Sequence, residues 1–188
     1  MGLKLDLHTH CYEATLSTDV DAIKKIVNAV KARNLDGVAI TEHIDKDYGY
    51  RVKEIVEEHF DNAILIIPGQ EMNTDLLHVQ VVELYISDNT IFRFVAHPYH
   101  VTDFSRYVAA HADELHGVEI ENFQHRWEMN QIDKHRIQAI AVEHGLMLLT
   151  NSDAHSLDDI GRYYNEVDLE ELYMRIAQKR CQDTSNER

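Results

Sequence analysis

Histidines and carboxylates stand at the ends of several apolar, strand-like runs of this sequence. The first run leads into Asp6-Leu7-His8-Thr9-His10, where the alternation of an extended chain places His8 and His10 on the same side, about 6.6 Å apart at Cα. Two imidazoles at that spacing suit one metal ion. Similar residues recur at other apparent strand tips, namely His43, Glu71, His97, Asp153 and His155, while His78 begins a strand. Barrel enzymes gather distant residues into one site in this way, so we predict a multinuclear metal hydrolase.

The types of these residues favour particular metals. Imidazole with carboxylate suits Zn²⁺, Mn²⁺ or Fe²⁺ better than Mg²⁺ or Ca²⁺. Glu71 follows the buried run 63–67 and Pro68-Gly69, and its two oxygens could bridge neighbouring cations. We therefore expect two or three divalent metal ions as cofactors.

Strands and helices are predicted to alternate along the chain. The apolar patterns indicate strands at 3–7, 38–40, 63–67, 79–86, 91–96, 117–120 and 146–149, and helices at 19–30, 52–60, 104–114, 126–144 and 169–179. Alternation implies parallel strands with helices packed outside. No Gly-x-Gly-x-x-Gly follows the first strand, which argues against a dinucleotide-binding sheet. Ligands at nearly every strand end favour a closed barrel, because all the tips then converge on one face.

Length and charge limit the possible functions. The 188 residues make one domain, which we place at 1–180, followed by a polar and frayed tail at 181–188. The net charge of −15, from 18 basic and 33 acidic residues, disfavours a long nucleic-acid duplex. Bound cations would add positive charge at the site, so a small phosphorylated substrate stays possible.

Neither a signal peptide nor an apolar run of the roughly 20 residues that span a bilayer is apparent in the sequence. Cys11 and Cys181 lie far apart, and two free thiols suit a reducing compartment. We therefore expect a cytoplasmic protein with no membrane partner; the sequence leaves its oligomeric state open.

The order of the motifs resembles the polymerase and histidinol phosphatase (PHP) family. The motifs are Asp-Leu-His-Thr-His, Thr-Glu-His, Pro-Gly-x-Glu, His-Val, Ala-His-Pro, Gly-Val-Glu-x-x-Asn and Ser-Asp-Ala-His, between Asp6 and about Gly161. The short chain is most similar to small, stand-alone members that act on nucleotides or short oligonucleotides. The resemblance implies an α/β fold, a distorted TIM-like (β/α)7 barrel with its metal site at the C-terminal ends of the strands. It also implies hydrolysis of phosphate esters with up to three metals.

The resemblance further implies three sets of ligands. The first metal would be held by His8, His10, Glu71 and Asp153, and the second by Glu71, His78 and His97. The third would be held by His43, His155 and an acid or histidine after His10. The chain has Thr15 and Leu16 at the usual place of that last ligand, so Glu13 is our substitute and Asp19 the second choice. Glu119 and Asn122 are expected to orient ligands rather than bind metal.

The resulting hypothesis is a metal-dependent phosphoesterase for a small phosphate ester, nucleotide or short oligonucleotide. A hydroxide that bridges two metals sharing Glu71 would attack phosphorus. Arg51 or Arg162 would neutralise charge on the equatorial oxygens. The leaving group would be held by a third metal or protonated by His43 or His155. The alternatives are an amidohydrolase-type enzyme, which also begins with His-x-His, and a catalytically silent metal-binding regulatory module. The sequence favours neither a monoester nor a diester.

Overall fold

The structure, a computed structural model, describes residues 2–76, 78–87 and 89–186. The strands of this part are β1 (Leu3–Asp6), β2 (Gly37–Ile40), β3 (Leu65–Asn73), β4 (Gln80–Ser87), β5 (Thr90–Ala96), β6 (Gly117–Asn122), β7 (Met147–Asn151) and β8 (Asn165–Val167). The helices are α1 (Cys11–Thr15), α2 (Val20–Ala32), α3 (Tyr48–His59), α4 (Val101–His111), α5 (Arg126–Met129), α6 (Lys134–Glu143) and α7 (Leu169–Asn186). Within the described ranges, no helix is long and apolar enough to cross a membrane.

The strands form one sheet in the order β7-β6-β5-β4-β3-β2-β1-β8, which curls into a nearly closed barrel. The expected α/β class and TIM-like barrel are confirmed. The expectation of parallel strands throughout is wrong, because β4 is antiparallel to β3 and β5, and β8 is antiparallel to β1. The links around β4 hold only residues 74–79 and 88–89, which is too short for a crossover helix. The six parallel strands still bring their C-terminal ends to one face.

A side-chain amide joins the two ends of the sheet. Asn165 of β8 accepts a hydrogen bond from Thr150 N (2.8 Å) and donates one to Thr150 O (2.9 Å). This pair imitates the contacts of a neighbouring strand. Just beyond β1 and β7, Thr9 and Ala154 form a parallel bridge. The first and last parallel strands therefore lie side by side at the C-terminal face, although about 140 residues separate them.

The helices cover the barrel as their sequence patterns predict. Asp19 caps α2 by accepting a hydrogen bond from Ala22 N at 2.7 Å. The buried side chains of α2, at helical spacing, pack against strand β2 in a core cluster that includes Ile23, Ile26, Val30 and Ile40. A second cluster fills the barrel, with Leu5, Leu7, Phe92 and Phe94 among its members.

Three predicted elements differ from the structure. The helix predicted at 126–144 is broken into α5 and α6, because Asp133 accepts hydrogen bonds from His135 N and Arg136 N and so caps a new helix. The tail predicted as frayed from residue 181 continues α7 as far as Asn186, and residues 187–188 lie outside the described part. The sequence patterns did not predict helix α1 or strand β8.

Candidate metal centre

Four buried side chains direct one donor atom each to a common point. His8 and His10 follow β1, Glu71 lies near the end of β3, and Asp153 follows β7. His8 Nε2 lies 3.3 Å from His10 Nε2, 3.3 Å from Glu71 Oε2 and 3.5 Å from Asp153 Oδ1. His10 Nε2 lies 3.3 Å from Glu71 Oε2 and 3.1 Å from Asp153 Oδ1. Donor atoms around a tetrahedral cation with bonds of about 2.1 Å are separated by about 3.4 Å, so these four atoms fit one ion.

The hydrogen bonding of this group supports a cation. Asp153 Oδ1 and His10 Nδ1 are buried without a hydrogen-bond partner, and a buried polar atom without a partner is costly. A cation at the common point would coordinate Asp153 Oδ1 directly. We infer that this set, which is the first predicted one, can hold a divalent metal.

The second oxygen of each carboxylate faces a second group. Glu71 Oε1 lies 3.0 Å from His97 Nε2, which follows β5. Asp153 Oδ2 lies 3.8 Å from His97 Nε2 and 3.7 Å from His125 Nε2. His97, His125 and Asp153 could thus share a second ion, and both carboxylates, rather than Glu71 alone, could bridge the two positions.

His125 is a ligand candidate that the sequence analysis missed. It precedes α5 instead of ending a strand, so it lacked the strand-tip signal of the other residues. Its backbone N–H donates to Asn122 Oδ1 at 2.8 Å, which fixes the turn after β6. The Asn-x-x-His spacing of that turn was the available signal.

A third group lies closer to solvent and contains His10, Glu13, His43 and His155. The ring of His10 stacks between those of His43 and His155, at centroid distances of 4.4 and 4.3 Å. His43 Nδ1 also lies 3.3 Å from Glu71 Oε2, and Glu13 Oε2 lies 3.9 Å from His155 Nε2. The structure therefore brings together the predicted third set, with Glu13 as its acid.

Glu42 explains why Glu13 reaches this group. The carboxylate of Glu42 follows β2 and accepts a hydrogen bond from Tyr12 N at 2.7 Å. This bond holds the start of α1, the helix that carries Glu13, against the end of β2. Burial raises the pKa of Glu42 to about 7, although the bond from Tyr12 opposes that shift.

Glu119 orients the inner ligands from behind. Its Oε1 lies 2.9 Å from His8 Nδ1 and accepts from Asn151 Nδ2 at 2.7 Å. Its Oε2 accepts from His97 N at 2.8 Å and from Asn122 Nδ2 at 2.9 Å. Because the Nδ1 proton of His8 is directed to Glu119, Nε2 is left free to bind metal. Glu119 and Asn122 thus stand where an orienting role requires them.

Comparisons with known proteins give a partial family match and several similar folds. A family model described as PHP-associated matches residues 131–181. No curated protein matches the chain. A protein from Bifidobacterium adolescentis ATCC 15703, provisionally named a metal-dependent phosphoesterase, has a similar structure, with a TM-score of 0.66 and 13% identity over 91% of this chain and 96% of that one. The chain is thus similar to PHP proteins in this matched segment and in its fold.

Two further solved structures have a similar fold. PsfC from Pseudomonas syringae PB-5123 has a TM-score of 0.56 and 19% identity, over 86% of this chain and 80% of that one. A two-domain protein from Bacteroides vulgatus ATCC 8482, described as containing a predicted PHP-like metal-dependent phosphoesterase, has a TM-score of 0.57 and 18% identity over 84% of this chain. The chain spans about half, 53%, of that protein's length. At these identities the structures establish the fold alone.

Electrostatics in the candidate metal centre favour positive charge. Burial lowers the pKa of His8, but the carboxylates of Asp153 and Glu71 outweigh burial and hold it well above the usual value. For His10, burial is again outweighed, here by the adjacent carboxylates of Asp153 and Glu71, and the pKa rises to about 9. Burial raises the pKa of Glu71, yet His8 and His10 keep it well below its usual value. In the absence of metal, protons on the histidines would balance the carboxylates.

Two ligand candidates of the metal centre have strained backbones. His97 has φ +25° and Asp153 has φ +54°, a region that favours glycine. Hydrogen bonds hold both conformations, from His97 N to Glu119 Oε2 (2.8 Å) and from Asp153 N to His8 O (2.9 Å). Buried Asp6 also fixes the loop of Asp153 by accepting from Ser152 and Gly161. Strain held by several contacts is typical of functional sites.

Four predicted site residues lie outside these groups. His78 stacks on His100, with ring centroids 4.4 Å apart, and belongs to none of the metal-binding groups found among the described residues. Asp19 caps α2, and the resulting bonds to Ala22 N and Ser17 lower its pKa. Arg51 lies in α3 and pairs with Asp45. Arg162 donates to Asp158 O at 3.2 Å.

Proposed function

We propose that this protein belongs to the PHP family and is a metal-dependent hydrolase of phosphate esters with a small substrate, such as a nucleotide or a short oligonucleotide. The observation that carries the proposal is that Glu71 and Asp153 each direct one oxygen to the first histidine group and the other to the second. Carboxylates that serve two groups are typical of hydrolytic centres with two metals about 3.5–4 Å apart. The names of the Bifidobacterium and Bacteroides proteins support the same class of reaction.

Divalent ions in these groups would polarise a phosphoryl oxygen and lower the pKa of a coordinated water. Glu119 holds the imidazole of His8 in the tautomer that presents Nε2 to the metal position. Glu71 and Asp153 are the only carboxylates of the inner pair of groups among the described residues, so their charge sets the affinity for cations. Zn²⁺, Mn²⁺ and Fe²⁺ suit this histidine-rich set.

Two outer histidines can move a proton at the mouth of the centre. His43 and His155 have side chains that are 38% and 31% exposed, whereas those of His8 and His10 are fully buried. Burial lowers the pKa of His43, and this effect outweighs the attraction of Glu71. His155 Nδ1 lies 2.9 Å from the Asp153 carbonyl, so its proton is held there and Nε2 faces outward. Either histidine can bind a third ion or pass a proton to the leaving oxygen.

The first test is Mn²⁺-dependent hydrolysis of p-nitrophenyl phosphate beside bis(p-nitrophenyl) phosphate. Glu71→Gln should lose at least a hundredfold in kcat/KM on whichever ester is cleaved, because the substitution removes a charge shared by two groups. The matched control is Glu121→Gln, which alters a carboxylate of β6 that pairs with Lys134 away from the centre. Chelation should abolish activity, and Mn²⁺ should restore it.

The results separate the candidate functions. Turnover that survives both chelation and Glu71→Gln would refute the proposal. Tight binding of metal without turnover of either ester would favour the regulatory module, and cleavage of an amide or cyclic amide would favour the amidohydrolase reading.

A further inference from the structure

Two arginines meet at one aromatic ring on the face of the barrel that carries the metal centre. Phe123 directly follows β6, and Arg162 lies in the loop after β7. The guanidinium carbon of Arg126 lies 4.5 Å from the centroid of the Phe123 ring, and that of Arg162 lies 5.7 Å from it. Both distances are within the range of cation–π attraction. The ring thus contacts two positively charged side chains.

Neither guanidinium is neutralised by a carboxylate in the described part of the chain. Arg126 donates to Phe123 O at 2.7 Å and Arg162 donates to Asp158 O at 3.2 Å, and both acceptors are backbone carbonyls. The nearby carboxylate of Glu128 lies instead toward His125. Each guanidinium has five N–H donors, so most of them stay available. In a chain with 33 acidic and 18 basic residues, two arginines that contact one ring and have no carboxylate partner among the described residues are notable.

The arginines are tied to the metal centre through the backbone. Phe123 N donates to Asn151 O at 3.0 Å, and Gln124 N donates to Ser152 O at 3.1 Å. The segment that carries Phe123 and Arg126 therefore runs beside the segment that carries Asp153. Arg126 also directly follows His125, whose Nε2 lies 3.7 Å from Asp153. The arginines and the metal centre therefore lie on adjacent segments of the same barrel face.

We propose that Arg126 and Arg162 form a second anion subsite, which binds a phosphate or carboxylate group of the substrate other than the one that is cleaved. Planar guanidinium groups suit such an anion because they donate parallel N–H bonds to its oxygens. The preferred substrates would then be phosphate esters that carry a second phosphate or carboxylate a few bonds away. This inference rests on the proposed phosphoesterase function and refines its substrate class.

The test compares alkyl phosphates with and without a second phosphate group. Phosphate release from propyl phosphate is measured beside that from propane-1,3-diol bisphosphate and hexane-1,6-diol bisphosphate, in the Mn²⁺-loaded protein. We expect at least one bisphosphate to have the higher kcat/KM. Arg126→Gln with Arg162→Gln should lower the ratio of kcat/KM, bisphosphate over propyl phosphate, by about tenfold or more. Arg136→Gln, an exposed arginine of α6, should leave that ratio unchanged.

Several results would overturn the subsite. Equal losses on both substrates would mean that the arginines act on the cleaved phosphate or on the fold, and an equal effect of Arg136→Gln would mean only long-range attraction. Arg162→Gln alone keeps the test valid if the double variant fails to fold, because Arg162 is exposed.

If no ester is cleaved, the proposed function fails, and calorimetric binding of the same bisphosphates still tests the arginines. Weaker binding in the variants would support the subsite, and unchanged binding would reject it.

Discussion

Replacing Glu119 by glutamine keeps the shape of the side chain but removes acceptors from a fully buried position. Four donors face this carboxylate: His8 Nδ1 and Asn151 Nδ2 at one oxygen, and His97 N and Asn122 Nδ2 at the other. Whichever way the glutamine amide is placed, its NH₂ group meets two of these donors. If it meets His8, that ring can relieve the conflict by moving its proton to Nε2, the atom that faces Glu71 and Asp153.

The size of the effect follows from these contacts. Loss of two hydrogen bonds to a charged group should lower the free energy of unfolding of the metal-free protein by about 3 kcal/mol or more. Residues that orient metal ligands typically contribute 10–100-fold to metal affinity, which corresponds to about 1.4–2.8 kcal/mol. We expect the affinity of the first site to fall within that range.

Two measurements check this expectation. Urea unfolding of the metal-free protein gives the change in stability, and competition with a chromogenic chelator gives the affinity for Zn²⁺. Glu121→Gln is the matched control, since Glu121 lies two residues along the same strand but pairs with Lys134. If Glu119→Gln leaves the folded protein with unchanged metal affinity, the argument that Glu119 selects the tautomer of His8 is wrong.

Three further predictions concern the site and the barrel. Metal binding at pH 7 should release at least one proton, because the pKa of His10 is about 9 without metal; calorimetry in buffers with different protonation enthalpies measures this, and an equal heat in all buffers would contradict it. His125→Ala should reduce the number of tightly bound metals by one, while His78→Ala leaves it unchanged. Mass spectrometry under native conditions measures this number, and the opposite pattern would favour the second set predicted from the sequence, Glu71, His78 and His97. Gly69→Ala should destabilise the fold by about 1–3 kcal/mol, because the new Cβ would lie 2.5 Å from Glu83 O; an unchanged urea midpoint would exclude that clash.

The presence of histidines and carboxylates at the ends of predicted strands was enough to predict part of the site. His8 and His10 follow a strand with the alternation that puts both on one side, and Asp153 follows the last parallel strand, so their types and positions already indicated one cluster. Parallel strands that end on one face convert this pattern into proximity. These residues were therefore accessible from the sequence.

Other features depend on contacts that no local pattern encodes. His125 reaches the centre through a turn fixed by Asn122, and His78 is directed to His100 at the start of the reversed strand β4. The reversal itself follows from the short links around β4, which the predicted strand boundaries already contained but which we read as parts of a regular alternation. The role of Asp133 in breaking a long helix was likewise visible only as a capping residue within a helical pattern.

The junction of the two sheet ends at Asn165 has a consequence for synthesis of the protein. His8 and His10 leave the ribosome about 140 residues before Asp153, and β1 leaves it about 160 residues before its antiparallel partner β8. At about 5–20 residues per second, the two histidines wait about 7 to 28 seconds for Asp153. A metal bound during that interval would hold only part of its ligand set, so a complete centre reports that the barrel has closed.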